Sequence, residues 1–109
     1  MTVHSALGPG LLEAVYENCL CCELLKRGLP FERQKQIPVQ YQGMSLQCGF
    51  RADLIVDNRV IVEIKAIDHL ASIHESQLLT YLRLSNLPIG LLINFNVRHL
   101  RDGIRRRIA

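Results

Sequence analysis

Two neighbouring apolar runs constrain the fold of this chain more than any other feature of its sequence. They fall within residues 50–67, which read FRADLIVDNRVIVEIKAI, and Asp57-Asn58 separates them. Both runs are apolar at consecutive positions, which is typical of central strands that are covered on both faces. The sequence therefore predicts a hairpin in the middle of a sheet, with other elements packed on each side of it.

Three charged residues lie inside these apolar runs: Asp53, Glu63 and Lys65. A carboxylate or an ammonium group in a buried strand costs on the order of several kcal/mol unless it is paired or bound to a metal ion. Folding alone does not explain these side chains. They are therefore the first candidates for a functional site.

The length of the hairpin loop decides whether the two carboxylates meet. A two-residue loop would put Asp53 and Glu63 on opposite faces of the hairpin. A three-residue loop over residues 57–59 pairs Val56 with Val60 and sets Asp53 directly across from Glu63. We predict the three-residue loop, because such hairpins are common and asparagine tolerates the left-handed backbone that they need.

Glu63 and Lys65 share one face of their strand because side chains alternate along a strand. Two carboxylates a few ångströms apart repel each other, and a hard divalent cation with oxygen ligands resolves that repulsion. A nearby lysine can orient a water molecule or stabilise charge on a phosphate. The pattern suits metal-assisted hydrolysis of a phosphodiester. The alternative is an ion pair of Lys65 with Glu63 or Asp53 at a strand end, since the D…ExK pattern is short and common.

The remaining sequence patterns predict an α/β domain with a mixed sheet. Helices are expected over residues 11–27 and 72–86, and further strands over residues 31–41 and 89–95. Pro38 favours an edge position or a bulge for the first strand. Residues 99–108 are either a short edge strand or an irregular basic arm.

Length and composition predict a single domain over residues 1–109. No apolar run approaches the ~18 residues needed to span a bilayer. The N-terminus lacks the basic and apolar regions of a signal peptide, so a cytoplasmic location is expected. Three of the four cysteines crowd the first long helix, where adjacent positions point apart, and no paired histidines accompany them, which favours buried reduced thiols over a zinc site.

The net charge of +3 is mild, but five arginines lie in the last dozen residues: Arg98, Arg101, Arg105, Arg106 and Arg107. A basic end of this kind suits contacts with phosphates, and a solvated tail is the alternative. We expect Arg105 and Arg106 to contact the substrate.

Four stretches resemble the GxxExxY proteins in the same order: GPGLLEAVYE, FRADLIVDNRVIVEIKA, HESQLLTYL and GLLINF. Gly10, Glu13 and Tyr16 match the signature that gives the family its name, and the similarity spans residues 3–108. That family looks like a compact branch of the PD-(D/E)XK nuclease superfamily. The resemblance implies a restriction-endonuclease-like core, in which α-helices flank a mixed central β-sheet.

The resemblance also implies roles for individual residues. The superfamily triad would be Asp53, Glu63 and Lys65, with Mg²⁺ or Mn²⁺ held by Asp53, Glu63 and the backbone carbonyl of Ile64. Gln77 and Tyr81 match a Q-x-x-x-Y helix motif, which would order Lys65 or the strand that is cut. Glu13 would be an additional acidic residue from the first long helix, and Tyr16 beside it would fit the rim of a cleft.

Three functional hypotheses follow from this sequence. The first is a metal-dependent nuclease that acts on DNA, with RNA as the weaker candidate. The second is a nuclease-fold module that binds nucleic acid or a protein partner without cutting it, which small size and modest charge favour. The third is that the active unit is a homodimer, because one small domain offers little surface to a duplex.

Overall fold

The computed structural model describes the backbone of residues 1–109 and every side chain except those of Gln47 and Cys48. The helices are α1 (Thr2–Leu7), α2 (Glu13–Lys26) and α3 (Ser72–Ser85), with a short 3-10 helix at Leu100–Gly103. The strands are β1 (Phe31–Tyr41), β2 (Met44–Val56), β3 (Val60–Lys65), β4 (Ile89–Asn94) and β5 (Ile104–Ile108).

The strands form one five-stranded sheet in the order β1-β2-β3-β4-β5. Three neighbouring pairs are antiparallel, whereas β3 and β4 are parallel and are joined through α3. A parallel pair needs such a crossover, since its strands enter the sheet from the same end. The predicted α/β fold with a mixed central sheet flanked by helices is therefore confirmed.

Two apolar cores cover the two faces of the sheet. On one face, α1 and α2 pack over a cluster that includes Tyr16, Leu54, Val62, Ile64 and Phe95. On the other face, α3 packs over a second cluster, which includes Ile55, Ile61, Leu78, Leu82 and Leu92. Burial on both faces explains why the central strands are apolar at consecutive positions.

The structure decides two points that the sequence left open. The register of β1 against β2 shifts between Ile37 and Val39, and β1 is an edge strand, so Pro38 occupies both an edge and a bulge. The C-terminal residues form an edge strand rather than an irregular arm, because Ile104–Ile108 pairs with β4. The first long helix begins at Glu13, two residues later than predicted.

The cysteines follow the expectation of buried thiols only in part. Cys21 is buried, Cys19 is half-buried and Cys22 is exposed, and all three are free thiols. The side chain of Cys48 lies outside the described residues. No helix in the described part of the chain combines the length and the apolar character needed to cross a membrane.

Candidate active site

The β2–β3 hairpin brings the two candidate carboxylates to neighbouring positions. Val56 pairs with Val60 across residues 57–59, so the three-residue loop is confirmed. Two residues of this loop adopt the left-handed backbone, each with a φ of 52°. The ladder ends one pair before the carboxylates, and the next position in its register sets Asp53 opposite Glu63.

The Asp53 carboxylate joins the two strands where their backbone pairing ends. Its Oδ2 accepts a hydrogen bond from the backbone N–H of Ile64 over 2.7 Å. A hydrogen bond to a charged acceptor is stronger than one between neutral groups. The contact therefore holds the Asp53 carboxylate against the part of β3 that carries Glu63 and Lys65.

Glu63 is the buried member of the pair, with 8% of its surface exposed. Its Oε1 is buried and has no hydrogen-bond partner. Burial, the negative charge of Asp53 and a hydrogen bond shared with that carboxylate together raise the pKa of Glu63 to about 8, while Lys65 opposes the shift. A buried carboxylate oxygen without a partner costs about 1–3 kcal/mol. A proton or a cation at this oxygen would remove that cost.

The two carboxylates fit a hard divalent cation. Mg²⁺ and similar ions take oxygen ligands, and one or two carboxylates are the usual protein contribution to a magnesium site. Glu63 has a buried oxygen without a partner among the described residues, and its carboxylate interacts with the negative charge of Asp53, which is an arrangement that a cation stabilises. Asp53 and Glu63 are therefore the residues that would hold such an ion.

Lys65 ends β3 two positions after Glu63 and is half-buried. Among the side chains that the structure describes, no carboxylate oxygen lies within 4.0 Å of its amine. The ion-pair alternative therefore does not account for Lys65. Its amine remains available to a water molecule or a phosphate.

Asn94 fixes the chain immediately after Lys65, and the sequence reasoning missed it. It is the partner of Lys65 in the β3–β4 ladder and is 2% exposed. Its Nδ2 donates to the carbonyl of Ile67 at 2.9 Å, and its Oδ1 accepts from the N–H groups of Ile67 at 3.1 Å and Asn96 at 3.2 Å. The available signal was an asparagine in the apolar run IGLLINF, since a buried amide needs partners.

The helix motif contributes one side chain to the site and leaves the other at the surface. Tyr81 is half-buried and stacks on Phe50, with ring centroids 3.8 Å apart. Burial raises the pKa of Tyr81, and the negative charges of Glu63 and Asp53 add to the shift. Gln77, one turn earlier on α3, is exposed.

The structure does not bring Glu13 to the carboxylate pair. Glu13 is exposed at the start of α2. Within the described residues, no three side chains of Asp, Glu, His or Cys form a group that could hold a metal ion. The expected role of Glu13 in completing the metal shell therefore finds no support in the geometry.

The expectation that Tyr16 lies on the rim of a cleft is wrong. Its side chain is fully buried and stacks on Phe95, with ring centroids 4.5 Å apart. Its hydroxyl donates to the carbonyl of Gly8 at 2.6 Å and accepts from the N–H of Leu11 at 3.1 Å. Tyr16 holds the loop before α2 and does not face a substrate.

The two arginines expected to contact substrate point to different faces of β5. Arg105 pairs with Leu92, which lies in the α3-side core, and its Nε lies 3.9 Å from Glu75 Oε1. Arg106 pairs with Leu91, which packs in the opposite core. The two side chains therefore do not form one surface. Only Arg105 shares a face with the helix that carries Tyr81.

Comparison with known proteins supports this assignment of the fold. No curated protein and no solved structure matches the chain significantly. The sequence model of the PD-(D/E)XK nuclease superfamily matches residues 1–107, which is nearly the whole chain. With this match over the sheet, the hairpin and α3, the chain belongs to the PD-(D/E)XK nuclease superfamily.

Proposed function

We propose that this protein hydrolyses phosphodiester bonds of DNA and requires Mg²⁺ or Mn²⁺ to do so. The observation that carries the proposal is the buried, unpartnered Oε1 of Glu63 beside the charge of Asp53. A buried oxygen without a partner does not stabilise the folded chain, whereas a cation site requires a carboxylate oxygen that is free to bind the ion. RNA is the second substrate to compare.

Each of the described side chains has a defined part in this proposal. Asp53 and Glu63 would hold the cation, with the backbone carbonyl of Ile64 as the further ligand expected from the family resemblance. When bound, a divalent cation lowers the pKa of its water and neutralises charge that develops on the phosphate. The Lys65 amine has no carboxylate partner among the described side chains, and it donates to the attacking water or to a phosphate oxygen.

Two residues of α3 complete the proposed site. The negative charges of the two carboxylates contribute to the raised pKa of Tyr81. The Tyr81 hydroxyl would donate to the water or the phosphate held at these carboxylates. Gln77 is exposed one turn away on the same helix, where it can contact the strand that is cut. Both contacts would orient the scissile phosphate relative to Lys65.

The proposal is tested by metal titration and cleavage in the same protein preparations. Mg²⁺ and Mn²⁺ are titrated by calorimetry into wild type and Asp53→Asn, and both are assayed on labelled single-stranded DNA, double-stranded DNA and RNA of one sequence. Metal binding and cleavage in wild type alone support the proposal. Equal cleavage by Asp53→Asn would identify a contaminating nuclease and overturn it.

A second candidate function is binding of nucleic acid without cutting. The observation that favours it is that the carboxylate pair has no third acidic side chain close enough to share a metal ion, within the residues described. Under this alternative, wild type binds oligonucleotides with a steep dependence on salt, needs no divalent cation and leaves them intact.

Three finer assignments stay predictions. The positions of Gly10, Glu13 and Tyr16 favour the GxxExxY branch of the superfamily. A homodimer is expected to be the active unit if one domain offers too little surface, and light scattering during turnover tests this. A cytoplasmic location is the third of these predictions.

A further inference from the structure

A basic cavity lies where the segment before α2 meets the loop after β4. It has a volume of about 540 Å³, and its lining includes His4, Gly8 and Pro9 from one segment and Arg98, His99 and Arg101 from the other. No Asp or Glu lines it within the described part of the chain. An anionic ligand would therefore meet positive charge and no opposing carboxylate on the cavity wall.

The arginines of this cavity differ from Arg105 and Arg107 of β5. Arg105 and Arg107 both contact Glu75 of α3. Arg98 and Arg101 are exposed, and no carboxylate among the described side chains lies within 4.0 Å of either. Two arginines of β5 thus share Glu75, whereas Arg98 and Arg101 at the cavity, like Arg106, have no carboxylate partner among the described side chains.

Hydrogen bonds between the two segments hold the cavity in shape. His4 Nε2 donates to the carbonyl of Val97 at 2.7 Å. The backbone N–H of Gly10 donates to Asn96 Oδ1 at 3.1 Å. These contacts fix the backbone on both sides before any ligand binds, which reduces the entropy lost on binding.

The same loop connects the cavity to the proposed active site. Asn94 is the partner of Lys65 in the sheet, and its Oδ1 accepts the N–H of Asn96. Arg98 follows Asn94 by four residues, so their Cα atoms are at most about 14 Å apart. A nucleic acid strand rises about 3.4 Å per nucleotide, so that reach corresponds to about four nucleotides or fewer.

We propose that this cavity binds backbone phosphates of the nucleic acid whose scissile phosphate lies at Asp53 and Glu63. The inference rests on the proposed function for its choice of ligand. Arg98 and Arg101 supply the charge and the fork of N–H donors that suits a phosphate. Such contacts fix the position of the strand and carry no sequence preference.

The test measures binding without cleavage. Fluorescently labelled duplex and single-stranded DNA are titrated in EDTA, across about 50 to 200 mM salt, with wild type, Arg98→Gln and Arg101→Gln. Arg59→Gln is the matched control, because Arg59 is exposed and unpaired among the described side chains, in the loop at the other end of β3 from Lys65. Circular dichroism of each variant confirms that it is folded.

We expect each cavity variant to bind about three- to tenfold more weakly and to lower the slope of log K against log salt by about 0.9 for duplex DNA and about 0.7 for single strands. Arg59→Gln should match wild type in affinity and in slope. Equal losses in all three variants, no loss in the cavity variants, or no binding by wild type would overturn the proposal. If binding depends on the cavity while no metal-dependent cleavage occurs, the proposed function fails and this site stands.

Discussion

The Asp53 carboxylate accepts the backbone N–H of Ile64 at 2.7 Å, one residue beyond the glutamate that it faces in the register of the hairpin. This contact ties the position of one candidate metal ligand to the strand that carries the other. The geometry of the pair is therefore set by the backbone of β2 and β3, and changes to the charge of the pair should leave the fold in place.

Asp53→Asn should separate metal binding from folding. The new amide oxygen can still accept the Ile64 N–H, so the free energy of unfolding should change by less than about 1 kcal/mol. Affinity for Mg²⁺ should fall at least about tenfold, because hard cations need the carboxylate charge. Asp57→Asn in the exposed hairpin loop is the control, and calorimetry should show it to bind like wild type. Wild-type affinity in Asp53→Asn would remove this carboxylate from the site.

Glu63 should make the metal-free protein less stable as pH rises. The folded-state pKa of Glu63 is about 8 against an ordinary value of 4.5, so the folded chain binds more protons than the unfolded chain between these values. The free energy of unfolding therefore falls between about pH 4.5 and about pH 8, by up to about 1.4 kcal/mol per pH unit. Above that window it should stay constant.

Urea unfolding in EDTA from about pH 5 to about pH 9 checks this expectation against Glu63→Gln, which cannot titrate and should lack the decline. Saturating Mg²⁺ should flatten the wild-type profile, since a bound cation keeps the carboxylate ionised. Parallel profiles of wild type and Glu63→Gln without metal would contradict the raised pKa.

Asn94→Ala should destabilise the protein and slow cleavage. The substitution leaves the N–H and C=O of Ile67 without the partners that they have in the folded protein. The free energy of unfolding should fall by about 2–3 kcal/mol. Asn18→Ala on the exposed side of α2 should lose less than about 1 kcal/mol, because only the Arg33 side chain donates to it. Similar losses in the two variants would remove the special role of Asn94.

Two tyrosine substitutions should have opposite signatures. Tyr16→Phe keeps the stacking on Phe95 but removes the hydroxyl that joins Gly8 and Leu11, so the free energy of unfolding should drop by about 1–2 kcal/mol while Mg²⁺ affinity stays unchanged. Tyr81→Phe keeps the stacking on Phe50 and should retain stability, but its cleavage rate should fall about tenfold or more.

Thermal melts and single-turnover cleavage assays distinguish these two outcomes. Tyr41→Phe, at an exposed tyrosine near the hairpin between β1 and β2, serves as the control for both measurements. A loss of cleavage in folded Tyr16→Phe, or unchanged cleavage in Tyr81→Phe, would reverse the assignment of the two side chains.

The sequence was sufficient wherever local rules decide the structure. Alternation along the strands and the chemistry of the loop over residues 57–59 fixed the register of β2 against β3, and with it the meeting of Asp53 and Glu63. The bulge at Pro38 followed equally from the missing N–H of proline. These features depend on residues that are close in the chain.

The sequence was insufficient wherever distant partners decide which side chains are buried. Tyr16 was expected at the rim of a cleft, yet it is buried, and so is Glu17 beside it. Glu17 is buried because Arg33 and Gln34 of β1 donate to its carboxylate. The helical periodicity of the sequence predicts that such a glutamate faces solvent, because it contains no information about a partner in another strand. The contact of Arg105 with Glu75 could not be predicted for the same reason, since this acidic neighbour lies on α3.

The contact between His4 and Val97 joins positions that are 93 residues apart, whereas the contact of Asp53 with Ile64 spans only 11 residues. Closing a long loop loses more chain entropy than closing a short one, and contacts of low sequence separation form first during folding. The β2–β3 hairpin should therefore form early in folding, and the wall of the basic cavity should form last. The same order predicts that local opening of the N-terminal segment can weaken binding of a nucleic acid strand while the hairpin that carries Asp53 and Glu63 stays intact.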